Sequence, residues 1–301
     1  MKKYAFLLII SLGLCLTVPR FAEGTQYAKI RVVTSVFPLL EFVGAVAGER
    51  GEVSLLLPPG AGVHTWQPRA SDITRLSSAD LFIYVGAGLE PWIPGLLRSS
   101  SSQKLKILAV ADFLPLEKKN EAGQSSIDPH VWLDFELDRM IVDRIAETVS
   151  GIDPSHASSY RLRATQYNQK LQHLDDRFST SLGHCRQKII LLGGHAAFGY
   201  LTRRFNLQQL SLYGLSPDAE PSPSRLMETI RWAREHNIKA VYMEANSSPK
   251  MARVLAKEIQ AELLILNTGE NLNKKEWASG LTFFDIMEEN LKSLEKGLLC
   301  D

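Results

Sequence analysis

Seven histidines occur in the chain, and three of them share a setting suited to coordination chemistry. His64 lies in "GAGVHTWQPRASD", just after a Pro-Pro-Gly turn; His130 lies in "SSIDPHVWLD"; His195 lies in "KIILLGGHAAFGY". Imidazole is the commonest protein ligand for metals and the side chain that titrates nearest neutrality. His64 and His130 each stand two residues before a tryptophan, and His130 follows a rigid Asp-Pro pair. Apolar walls beside a polar head suit a ligand held away from water. His195 comes directly after an apolar run and a Gly-Gly pair, where an open α/β sheet presents binding groups at the carboxyl edge of its strands. The residues alone allow two readings: three donors to one ion, or three imidazoles satisfied by hydrogen bonds within their own loops. His156, His173, His184 and His236 lie on or beside helical patterns and receive no site role.

Other chemistries find little support. The HExxH, CxxC and two-histidine finger spacings are absent, as is the G-x-S-x-G nucleophile elbow. A phosphate-cradling loop fails because "VGAGLEPW" has no third glycine. With 34 basic and 33 acidic side chains the net charge is +1, so no field draws a polyanion, and nucleic acid is excluded as a partner.

The elements that must position the histidines read as α/β. The runs "KIRVVTSVF", "EVSLLLP", "DLFIYVG" and "KILAV" predict strands separated by helical segments such as "PRASDITRLSSA" and "PWIPGLLRS". A second series, "KIILLGG", "LQQLSLY", "IKAVYMEA" and "ELLILNT", alternates with the helical "SRLMETIRWAREH" and "PKMARVLAKEIQA". Alternation of this kind predicts mainly parallel sheets flanked by helices. Between the series, residues 155–182 hold no glycine or proline and place Tyr160, Ala164, Tyr167, Leu171, Leu174 and Phe178 on one stripe. Asp153 as cap, Pro154 in the first turn and Gly183 at the end predict a single helix about 42 Å long. Its stripe is too short for a coiled-coil seam and predicts packing along the two halves of a monomer. Phe284, Met287, Leu291, Leu294 and Leu298 mark a last helix. The expected division is a signal segment 1–23, a first lobe 24–153, a linking helix 154–183 and a second lobe 184–301.

The segment "MKKYAFLLIISLGLCLTVPRFAEG" combines two lysines with an apolar run too short to span a bilayer, the pattern of a secretory signal. Cys15 raises lipid attachment, but Leu14 stands where a small residue belongs, so a soluble exported product is expected. Cys185 and Cys300 then remain in a compartment that permits disulfides, either bridged or as two separate buried thiols.

Taken together, "VVTSVFPLLEFV", "PPGAGVHTWQPRASDITRLSSADLFIYVGAGLEPW", "DPHVWLD", "GGHAAFGYLTRRFNL" and "SPDAEPSPSRLMETIRWAREHNIKAVYMEANSSPKMARVLAKEI" resemble the metal-binding proteins of bacterial ABC importers, in the branch associated with zinc and manganese. The resemblance implies two α/β lobes joined by one rigid helix, with the metal between them on His64, His130 and His195. It also implies a membrane permease and a cytoplasmic ATPase as partners. A histidine at the third position favours Zn²⁺ over Mn²⁺, because imidazole nitrogen suits zinc and manganese leans toward oxygen. Two departures bear on the metal. Where relatives carry an aspartate after the last strand, this chain has Asn267 in "LILNTGEN", which leaves Asn267, Glu270 or water for the fourth donor. Residues 117–127, "EKKNEAGQSSI", lack a histidine-rich loop. The competing readings are a Mn²⁺ or Fe²⁺ carrier on the same scaffold, a zinc hydrolase with Glu244 or Glu270 as base, and an adhesin using the metal structurally.

Overall fold

The computed structural model describes residues 29–100, 102–116, 119–121, 124–215 and 222–300. The expected signal segment with Cys15, and residues 216–221 of the last quoted segment, lie outside the described residues. The first half runs β1 (Ile30–Thr34), α1 (Phe37–Ala47), β2 (Gly51–Leu55), α2 (Ala70–Ser77), β3 (Leu81–Tyr84), α3 (Ile93–Ser99) and β4 (Lys106–Ala109). A hairpin of β5 (Lys119–Glu121) and β6 (Gln124–Ser126) follows, then α4 (Phe135–Ile152) and the long α5 (Ala157–Gly183). The second half holds β7 (Ile189–Leu192), α6 (Gly199–Arg204), β8 (Gln208–Ser211), α7 (Pro223–Glu235), β9 (Ala240–Glu244), α8 (Lys250–Ile259), β10 (Glu262–Leu266), α9 (Lys274–Ser279) and α10 (Phe283–Gly297).

All eight predicted strands form, in two parallel four-stranded sheets of order β2-β1-β3-β4 and β10-β9-β7-β8. The two orders are the same topology. In each, the chain steps to one side of its first strand and then crosses to the other, so each sheet has a point where the connections diverge. Such a point leaves a crevice at the carboxyl ends of the strands. In the first sheet Glu90 fills it, accepting hydrogen bonds from the Ser35 hydroxyl and the Val85 and Gly86 amides. In the second sheet, between β7 and β9, His195 and Glu244 occupy the equivalent place.

The helix α5 carries 27 residues and is about 40 Å long. Its predicted stripe is buried throughout, with Phe42 against Tyr167 in the first lobe and Phe205 and Phe135 against Phe178 toward the second. The cap differs from expectation. A 3₁₀ turn over Pro154–His156 precedes α5, and the Asp153 carboxylate takes hydrogen bonds from Arg50, Ser155 and Tyr160 rather than from helix amides. These side-chain donors, one of them 103 residues away, hold the carboxylate well below the usual carboxylate range against the cost of its burial.

The sequence pattern did not single out α1 and α4. Both are buried on one face, α4 through Leu137, Ile141, Val142, Ile145 and Val149. The lobes are tied at several points. Arg204 of α6 grips Asp175 of α5 through two nitrogens at 2.5 Å and reaches Glu136 of α4 at 2.8 Å. Phe283, at the start of α10, packs edge-on against Phe42 of α1. Cys185 and Cys300 are joined in a disulfide, which decides between the two cysteine readings.

Candidate metal centre

Each histidine reaches the seam by a different route. His64 hangs from the loop that leaves β2, and Trp66 two residues on is locked edge-to-face with Trp92. The Trp92 indole donates in turn to the Val63 carbonyl at 2.8 Å, beside His64. His130 ends the segment after β6, immediately before a 3₁₀ turn over Val131–Leu133, and is fully buried. His195 follows β7 and is 2% exposed. The ring centroids lie 5.1 to 5.8 Å apart, and one ligand atom from each ring falls within 4.8 Å of the others. The predicted triad therefore comes together, with residues of both halves contributing.

Two carboxylates fix the rings. Asp128 Oδ1 accepts from the His130 backbone amide at 3.1 Å and from its Nδ1 at 2.9 Å. Glu244 Oε1, at the end of β9, accepts from the His195 amide at 3.0 Å and its Nδ1 at 2.7 Å. A carboxylate on Nδ1 places the proton there and leaves a lone pair on Nε2. The two Nε2 atoms face each other at 3.2 Å. Between neutral rings these lone pairs oppose each other, and either a proton on one nitrogen or a metal cation between them relieves the repulsion. Two donors about 2.05 Å from a tetrahedral zinc would stand about 3.3 Å apart, so the spacing fits that ion.

The electrostatics agree. Burial works against a charged His195, yet the Glu244 hydrogen bond and charge outweigh it and raise its pKa above 6.5. Burial likewise pushes the Glu244 carboxyl up, and the His195 contacts reverse this to a net lowering. Glu270, after β10, lines the same cavity as His64 and His195, beside the three-histidine cluster. Burial raises its pKa, against the favourable charges of His195 and His130 and an N–H from Val63. Its Oε2 is buried without a hydrogen-bond partner, an expensive arrangement for a carboxylate unless a cation completes it. Asn267, the other candidate for the fourth donor, is committed elsewhere: its Oδ1 accepts from the Gly269 amide at 2.9 Å in a tight turn. A cavity of about 310 Å³ lined by His64, His195, Glu270, Thr65, Asn246 and Ser247 leads away from the triad.

Sequence reasoning gave Asp128 no role beyond the rigidity of its Asp-Pro pair, and considered Glu244 only as a base. Their signals were present: an acidic residue two positions before His130, and another ending the apolar run "KAVYME".

A profile of the ZnuA family, described as zinc-uptake complex component A, periplasmic, matches residues 32–297. The chain belongs to that family. It is 33% identical over 305 residues to the high-affinity zinc uptake system protein ZnuA of Bacillus subtilis (strain 168), covering 98% of this chain and 95% of that one. It is also 33% identical over 307 residues to the zinc-binding lipoprotein AdcA of Streptococcus pneumoniae (strain R6), and spans 61% of that longer protein. The crystal structure of the Zn(II)-bound ZnuA-like domain of Streptococcus pneumoniae AdcA superposes with a TM-score of 0.78 at 33% identity, covering 90% of this chain and 99% of the domain. The two-lobed α/β architecture with its linking helix is thus the family's own.

Proposed function

We propose that this ZnuA-family chain captures Zn²⁺ outside the cytoplasm and delivers it to an ABC permease driven by a cytoplasmic ATPase. His64, His130, His195 and Glu270 are the donors. One observation carries the reading: His130 and His195 turn their Nε2 atoms toward each other at 3.2 Å while carboxylates hold both Nδ1 protons away. Three imidazoles and one carboxylate suit zinc better than manganese. The zinc named for both relatives and bound in the superposed domain supports the same choice.

Several finer points follow. The lobes are residues 24–153 and 184–301, with 154–183 as connector, supported by the two repeated sheets on either side of α5. The protein performs no chemistry on its cargo. Of the two candidate bases, Glu244 is occupied by His195 and by the Ser247 hydroxyl at 3.1 Å, and Glu270 is read as a donor to the ion. The exported form is soluble by the sequence reading of Leu14–Cys15, and a monomer by that of the α5 stripe. The lipoprotein name of the streptococcal relative makes attachment through Cys15 the competing form, and intact-mass measurement of the exported protein separates them.

The deciding experiment is calorimetric titration with Zn²⁺ and with Mn²⁺. The expected result is one zinc per chain, with manganese displaced. Replacing any one histidine by alanine weakens zinc roughly 100- to 1,000-fold, the share of one donor in the ~10–16 kcal/mol of a four-donor zinc site. Unchanged zinc uptake in the triple alanine variant would refute the proposal.

A further inference from the structure

Glu270 lies in the second half of the sequence, yet its segment is hydrogen-bonded to the first lobe. The carbonyls of Thr268, Glu270 and Leu272 all face the first lobe, along an irregular stretch that bends at Gly269, whose φ is 71°. They accept from the Trp132 indole at 2.6 Å, the Phe37 amide at 2.9 Å and the Gly60 amide at 2.9 Å. All three donors belong to the first lobe. Asn271, 4% exposed, completes the strap. Its side-chain nitrogen donates to the carbonyls of Pro58 and Ala61, both at 2.8 Å, and its Oδ1 accepts from the Leu272 amide at 2.9 Å. Pro58 and Ala61 sit in the loop that carries His64, and the Val63 amide of that loop faces the Glu270 carboxylate.

We infer that Asn271 is a positioning residue for metal capture: by joining the Glu270 strap to the His64 loop it makes Glu270 a donor of the first lobe. This rests on the reading of Glu270 as the fourth ligand. The ion is then held three-plus-one. His64, His130 and Glu270 stand on a single frame, and His195, anchored through Glu244 to the second sheet, is the donor whose departure opens the site.

The test is zinc release into excess chelator by stopped flow, in wild type, Asn271→Ala, Asn271→Asp, Glu270→Gln and the double variant Glu270→Gln/Asn271→Ala. Asn271→Asp keeps the acceptor for Leu272 but lacks the two donors. Both Asn271 variants are expected to speed release about tenfold, the size set by two lost hydrogen bonds. In the Glu270→Gln background the same change adds less than about twofold, because its effect passes through Glu270. Cobalt absorption bands are expected to shift in Asn271→Ala in the direction seen for Glu270→Gln. Equal acceleration in both backgrounds would show a general weakening of the fold and overturn the inference. So would wild-type release from Asn271→Ala beside fast release from Glu270→Gln. Wild-type release from Glu270→Gln would instead remove Glu270 from the donor set, a separate failure of the proposed site.

Discussion

Gly194 offers a test of how the metal centre is held that leaves every donor in place. The Gly194 Cα lies against the Glu244 carboxylate, and a methyl group built there would overlap Glu244 Oε1. The backbone itself tolerates the change, because Gly194 is not among the glycines with positive φ. Gly194→Ala therefore forces the oxygen back by about 1 Å to reach ordinary contact. That movement breaks the 2.7 Å bond to His195 Nδ1 and the 3.0 Å bond to its amide. Loss of such a partner behind a ligating imidazole costs 10- to 100-fold in affinity, or about 1.4 to 2.7 kcal/mol. Competition for zinc against a chromophoric chelator measures it, with Glu244→Ala as the reference for full loss. The double variant should bind no more weakly than Glu244→Ala alone. Zinc affinity within twofold of wild type for Gly194→Ala, with the fold intact, would refute the claim that Glu244 orients His195.

Four other outcomes are expected. Protonated imidazole cannot bind zinc, and His195 titrates above 6.5, so affinity at pH 5 should be at least about thirtyfold below that at pH 7.5 by calorimetry. The metal-free fold runs the other way: the raised His195 pKa contributes stability that is complete below 6.5 and is lost as pH rises through the folded-state value. Replacing Cys185 and Cys300 by serine opens a constraint across 115 residues and should lower stability by up to about 4 to 5 kcal/mol in denaturant titration. Zinc affinity should change little, since Cys185 precedes β7 while the site lies beyond its carboxyl end. Arg204→Ala strands Asp175, whose side chain is 7% exposed, and should cost about 3 to 5 kcal/mol in the same titration.

Periodicity and composition were enough for the two runs of parallel strands and for the buried stripe of α5, because both features repeat over many residues and burial enforces them. The "PPGAGVH", "DPH" and "GGH" settings marked the three histidines one by one, and the wider resemblance grouped them. Local spacing could not show that Asp153 serves Arg50 and Tyr160 rather than capping α5, since one of those partners lies 103 residues away. Nor could it separate the surroundings of Asn267 and Glu270: the two stand three residues apart, yet a turn consumes the Asn267 oxygen while the Glu270 segment is bonded to the first lobe. The sequence by itself determined which kinds of donor are present and which strands deliver them. Their convergence was decided by tertiary structure, because a metal centre is set by angles among loops far apart in sequence, and those angles follow from how two sheets pack across a seam.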